Sequence, residues 1–210
     1  MKKLLLVFLL VFTVAIASCG KQEDNSKPTE ETPTTEVDKA LSNDFLGFVP
    51  AGTTVQLTTC GQSDIDVVYN LLTTAGVPES QINSQSQLKA DDCEDGSIVF
   101  LVLGTSNKGL GAAKTSVSDE TKRASDFAAA SRAGKIKLVI FHTGKDARRG
   151  DQSDPVIKAV AAEGKLLLVV DGGNNDGLFT NLAAEKNAPL YIYSKASKMV
   201  APIKTLFNIQ

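Results

Sequence analysis

Tryptophan is missing altogether, and the 210 residues hold only one histidine, two methionines and three cysteines. A single His excludes a histidine-rich metal centre. Lys and Arg (22) do not outnumber Asp and Glu (24), and the net charge of −2 leaves no basic excess for nucleic acid. No apolar run reaches the roughly 20 residues that a membrane-spanning helix needs. The signatures of a P-loop, a dinucleotide fingerprint, an EF-hand and a GxSxG nucleophile elbow are all absent, so no cofactor or metal is expected. What is there is ordinary globular material: 42% hydrophobic and 22% charged residues.

The N-terminus reads as a targeting device. Lys2 and Lys3 precede a short apolar run, Leu4–Ile16, in the manner of a secretory signal. Ile16-Ala17-Ser18-Cys19 resembles the bacterial lipobox, whose cysteine becomes the lipidated first residue of the mature chain. That resemblance implies a diacylglyceryl thioether and an N-acyl chain such as palmitate on Cys19, enough to hold a protein on a bilayer. Gly20 is not the Asp of an inner-membrane retention signal, and Lys21-Gln22-Glu23-Asp24 resembles the acidic export signal of Bacteroidetes-type lipoproteins. Together these point to a lipid-anchored envelope protein, on the outer membrane. Residues 1–18 form the signal, and 19–44 a Pro/Thr/Glu-rich tether without hydrophobic period, which lacks the apolar surface to offset its ordering entropy.

Residues 45–210 read as one domain of strands alternating with helices. Ile98–Leu103 is six apolar residues in a row, the mark of a strand buried on both faces of a parallel sheet. Val55–Thr59, Lys137–Phe141, Leu166–Val170 and Leu190–Tyr193 read as further strands, with an indistinct edge strand near Gln81–Ser84. Helices are expected after Ser63 (with Asp66 completing a capping box), over Asp119–Ala133 with Ser118 as cap, and from Asp154-Pro155. Two more are expected from Asp176 to Lys186 and over Lys198–Phe207. The fold class is a three-layer α/β/α sandwich with a mainly parallel sheet of five or six strands. Flavodoxin-like order (2-1-3-4-5) and Rossmann-like order (3-2-1-4-5) both fit.

In such a fold the strand C-terminal ends share one edge, where ligands bind. Four polar, Gly-rich loops converge there: Cys60–Asp64, Gly104–Lys114, His142–Asp154 and Asp171–Gly177. Within them Gln62, Ser63, Ser106, Lys108, Arg148 and Asn175 are the candidate contacts for a small polar or anionic ligand. Only one of the adjacent Arg148 and Arg149 is assigned to it, because neighbouring side chains diverge. Cys60, His142 and Asp64 are the catalytic candidates if the protein is a hydrolase or transferase. Cys60 then acts as a thiolate at a helix N-terminus, and His142 either as a base or as a hydrogen-bonded structural residue. A Cys60–Cys93 disulfide is not expected, because the two lie at opposite ends of parallel strands about 20 Å long, beyond the ~7 Å a bridge allows.

The segments CGQSD, LGTSNKGLGAA, ARRGDQSD and NNDGLFTNLA resemble an uncharacterised family of bacterial exported proteins with one compact α/β domain, over roughly Thr54–Phe207. The resemblance implies domain limits and that the four loops belong together, but no activity. A ligand-binding envelope lipoprotein is therefore the first expectation, an enzyme the second, and an interaction module of an envelope complex the third.

Overall fold

The computed structural model describes residues 36–210. The signal segment, Cys19 and the tether up to residue 35 lie outside the described residues. Six strands form one sheet: β1 (Val55–Cys60), β2 (Ile82–Ser84), β3 (Ser97–Leu103), β4 (Ile136–His142), β5 (Leu166–Val170) and β6 (Leu190–Tyr193). All adjacent pairs are parallel, in the order β2-β1-β3-β4-β5-β6. The flavodoxin-like alternative is thus the observed one, extended by a sixth strand.

The apolar run of β3 is explained by its two faces. Ile98, Phe100 and Val102 pack towards α1 (Ile65–Thr74) and α6 (Val200–Phe207), whereas Val99, Leu101 and Leu103 face the opposite core. That second core is covered by α3 (Val117–Arg132), α4 (Asp154–Val160) and α5 (Leu178–Glu185). Because successive strand side chains alternate, a strand between two helical layers must be apolar at every position. The crossover helix α1 lies on one face and α3 on the other, so the sheet reverses its winding between β1 and β3. This is the topological switch point of an open α/β sheet.

Several local expectations shift. The 104–114 stretch is not an open loop: α2 (Asn107–Ala113) occupies most of it, capped by Ser106, whose Oγ accepts from Gly109 N at 3.2 Å. Ser116, not Ser118, caps α3 in a reciprocal box with Asp119. Ser63 does not cap α1, whose N-cap is Asp64 in the left-handed region without a side-chain bond. Asn174 supplies the α5 cap bonds, its Oδ1 accepting from Phe179 N and Thr180 N. Residues 36–44, read as the end of the tether, pack on the domain. Val37 bridges Ile192 in parallel, Asp38 N donates to Ile192 O, and Ser42 N donates to the Tyr191 hydroxyl. No helix among the described residues is long and apolar enough to cross a membrane.

Phe100 is fully buried against Phe141 (centroids 5.3 Å apart) and Phe207 (5.9 Å), linking the central strands to the last helix. Phe100→Ala is expected to lower the unfolding free energy by about 3–5 kcal/mol, read from denaturant midpoints.

Candidate functional site

The loops after β1 and β3 meet at the switch point and are zipped together. Gly104 N donates to Cys60 O (3.2 Å), Ser106 N to Gly61 O (2.9 Å) and Ser63 Oγ to Gly104 O (2.7 Å), while Gln62 and Thr105 form an antiparallel bridge. The start of α2 is pressed onto this zip: a Cβ on Gly109 would sit 2.0 Å from Gln62 O. Gly109 therefore answers a packing demand, whereas a Cβ on Gly111 would meet nothing within 4 Å. The crevice that usually receives a ligand is filled by the protein's own backbone.

A buried carboxylate holds the zip in place. Glu120, 2% exposed on α3, accepts from Gly61 N (2.7 Å) and Gln62 Nε2 (3.1 Å) and pairs with Arg123. Arg123 also donates to Thr59 O and to Leu88 O (2.9 Å). Sequence reading missed both residues. A signal was present, because Glu120, Ala124, Phe127, Ala128 and Ser131 fall on one helical stripe and all are buried.

A second clasp joins the β4 and β5 loops. Arg149 uses all five N–H donors: two on Asp154 (2.8 and 3.2 Å), two on Asp176 (2.8 and 3.0 Å) and one on Gly173 O. Its guanidinium also lies over the Phe179 ring. Arg149 is thus the structural member of the arginine pair.

The predicted site residues separate into three groups. Cys60 and His142 are inaccessible. The Cys60 thiol is fully buried, and burial pushes its pKa up to about 12, the opposite of the activated thiolate that a helix N-terminus suggested. His142 is also fully buried, with Nδ1 2.9 Å from Leu103 O and Nε2 3.0 Å from Lys145 O, and burial draws its pKa below the usual value. A base with both nitrogens on backbone carbonyls has none left for a substrate. Cys60 and Cys93 are both free thiols. Gln62, Ser63 and Ser106 form the second group, spent on Ser86 O and Glu120, on Gly104 O, and on capping α2.

The third group remains available. Lys108 and Asn175 are exposed, and Arg148 and Asp64 face each other with Arg148 Nε 3.7 Å from Asp64 Oδ2. That gap is too long for a hydrogen bond. Neither of these buried atoms has a hydrogen-bond partner within the protein, nor does Thr143 Oγ1 just after β4. Gly144 makes the close approach possible, since a Cβ there would lie 1.9 Å from Arg148 Cγ and 2.6 Å from Asp64 Oδ2. Two clefts lie away from this edge. One, of about 570 Å³, is at the N-terminal ends of β1 and β3 beside Gln56, Asn83 and Glu94; the other, of about 430 Å³, is beside α6. Among the described residues no group of three or more His, Cys, Asp or Glu is arranged to hold a metal.

One family model matches residues 52–207, from the turn before β1 to the end of α6. The chain belongs to the DUF6305 family, a domain of unknown function. No curated protein and no solved structure matches it. The matched limits of the DUF6305 domain lie close to the Thr54–Phe207 span of the sequence resemblance and contain all four loops, while the 36–51 segment precedes them.

The Arg149 clasp has a pH signature. The hydrogen bond from Arg149 holds Asp176 down at about 2; burial opposes ionisation of Asp154, but the hydrogen bonds from Arg149 and Gly150 N outweigh it and keep its pKa below the usual value. Both carboxyls thus ionise below the unfolded value of about 3.9, so their contribution is complete above roughly pH 4 and fades as pH falls towards 2. Asp176 is largely exposed, so solvent screens its share. Denaturant midpoints measured from pH 7 to 2 are expected to fall less steeply below pH 4 in Arg149→Met than in the parent.

Proposed function

We propose that this protein is a lipid-anchored component of the bacterial cell envelope whose DUF6305 domain binds a small polar ligand at the C-terminal edge of its sheet. The observation that carries the binding reading is the loose Arg148–Asp64 pair, 3.7 Å apart on part-buried side chains, in which Arg148 Nε and Asp64 Oδ2 are buried atoms without a hydrogen bond, as is Thr143 Oγ1 on the same β4 loop. An unpaired buried polar atom costs about 1–3 kcal/mol, a deficit that a bound polar molecule removes. The group sits beside the switch point, among residues with backbone strain at Gln62, Asp64 and Lys145, all at positive φ.

A donor next to an acceptor selects a ligand that carries both, such as a polyol, an amide or a zwitterion. The four loops (60–64, 104–114, 142–154 and 171–177) carry five Lys and Arg against six Asp. Arg149 is neutralised by two of those carboxylates and Arg148 faces a third. This balance favours a neutral or zwitterionic ligand over a strongly anionic one. Arg148 and Asp64 make the primary contacts, with Lys108 and Asn175 at the rim. A hydrolase or transferase built on Cys60 or His142 finds little support, because neither side chain reaches solvent. An interaction module finds little either, since the exposed large hydrophobics among the described residues are the scattered Val37, Leu46 and Val67.

The anchoring half of the proposal rests on Lys2-Lys3, the apolar Leu4–Ile16 run and Cys19 at the end of the lipobox-like tetrapeptide. Two acyl chains on Cys19 suffice for stable membrane attachment. In a bacterial host, Cys19→Ser is expected to abolish incorporation of an alkynyl palmitate analogue and release the protein from the membrane fraction. Retained labelling overturns the anchor.

For the ligand site, thermal shifts of the full-length chain are to be measured against polyols, amides, amino acids and simple anions. At least one neutral or zwitterionic class is expected to raise the Tm. Arg148→Gln and Asp64→Asn are each expected to weaken that binding about tenfold, the range for a hydrogen bond to a charged group. Unchanged affinity in both variants removes the assignment.

A further inference from the structure

The cleft of about 430 Å³ beside α6 has a wall the family domain does not supply. One side is the N-terminal strap, with Ala40 and Leu41; the other is α6, with Ala201 and Pro202; Tyr193 at the end of β6 lines it between them. Its volume falls within the usual range for small-molecule sites. Tyr193 is 3% exposed, yet its hydroxyl has no hydrogen-bond partner in the protein. A buried phenol normally finds one. Tyr191, two residues earlier, does so by accepting from Ser42 N at 3.1 Å. The Tyr193 hydroxyl is therefore an unpartnered polar group on the wall of a cleft that is apolar at Ala40, Leu41, Ala201 and Pro202 and polar at its other lining residues.

The rim charges give the sign of that partner. Lys39 and Lys198 line the opening beside Asp38, whose carboxyl is held below its usual value chiefly by the hydrogen bonds from Ser194, with Lys198 and Lys195 adding to it. Asp38 is already committed, accepting from Ser194 N (2.9 Å) and Ser194 Oγ (2.7 Å). Two ammonium groups thus stand against one carboxylate that is internally satisfied. Burial pushes the Tyr193 pKa up, so its hydroxyl keeps its proton and serves as a donor. Donor, cations and apolar walls are jointly complementary to a compact apolar body carrying one acidic acceptor group.

We propose that the cleft between the 36–43 strap and α6 is a binding site for a small amphipathic carboxylate, seated with its apolar part between Leu41 and Pro202 and its carboxylate towards Tyr193 and Lys198. Because one wall is the strap itself, occupancy fastens the segment leading from the tether to the domain. The site is separate from the Arg148–Asp64 group and stands or falls without it.

The test is an NMR titration of the isotope-labelled full-length chain with benzoate and hexanoate, against benzamide and hexanol as neutral counterparts. Both acids are expected to shift amide signals of the strap and α6 with Kd of about 1 mM or below, and the neutral compounds to bind about tenfold more weakly. Hydrogen exchange at the Asp38 amide, which bonds Ile192 O, is expected to slow on binding. Tyr193→Phe is expected to weaken both acids about fivefold without lowering the Tm, since it removes a hydroxyl that bonds nothing. Lys198→Gln weakens them similarly, Ala201→Phe fills the cleft and abolishes binding, and Arg148→Gln leaves it unchanged. The proposal is overturned if neither acid shifts strap and α6 signals at about 10 mM. It is equally overturned if the neutral compounds bind as tightly, or if Ala201→Phe binds like the parent.

Discussion

The ion pair between Glu120 and Arg123 is the interaction on which the architecture of the sheet's C-terminal edge depends. Withdrawing two charges from water carries a penalty of several kcal/mol per ion, repaid only when geometry and extra hydrogen bonds are good. Here they are. Glu120 takes the Gly61 amide and the Gln62 side chain as well as Arg123, and Arg123 reaches the carbonyls of Thr59 and Leu88. One helix thereby grips the end of β1 and the 85–96 segment that crosses to β3. Held from below in this way, the loop after β1 can keep Gly61, Gln62 and Asp64 at positive φ, which a looser frame would relax.

With the β1 and β3 loops zipped, the switch-point crevice is occupied by backbone. The adjacent arginines on the β4 loop then take opposite duties. Arg149 turns towards β5 and exhausts its donors on Asp154, Asp176 and Gly173; Arg148 turns towards β1 and is left facing Asp64 across a gap too wide to close. Rigid surroundings are what allow such a gap to persist. An unsatisfied pair on a mobile loop relaxes into solvent, whereas this one sits part-buried against the bare Cα of Gly144, which leaves it the room.

The central strand was legible because its side chains answer to two separate cores, so composition alone betrays it. Strand order was not, because β2 is only Ile82, Asn83 and Ser84, and two of those three are polar. The helix α2 was hidden by its own glycines, each worth about 1 kcal/mol against a helix; the context that overrides them is the Ser106 cap and the pressure of Gln62 on Gly109. The candidate site shows the same limit more sharply. Gln62, Ser63 and Ser106 have the right chemistry at the right edge, yet Gln62 is consumed by Glu120, 58 residues away, and Ser63 by Gly104, 41 away. Residue type and loop position locate the edge. Only the long-range partners reveal which side chains still have a free valence.

The far edge of the sheet poses a different problem, because β6 carries backbone groups that no seventh strand of the family domain covers. The strap meets that need at one point, through the Val37–Ile192 bridge and the Asp38 bonds to Ser194. Covering an edge with a short segment is a common protection against unwanted pairing. A strap tied by a few exposed hydrogen bonds and one buried Leu41 opens at far lower free energy than the core behind it. The 36–43 strap is for that reason the part of the fold whose docking a small molecule in the adjoining cleft would shift most.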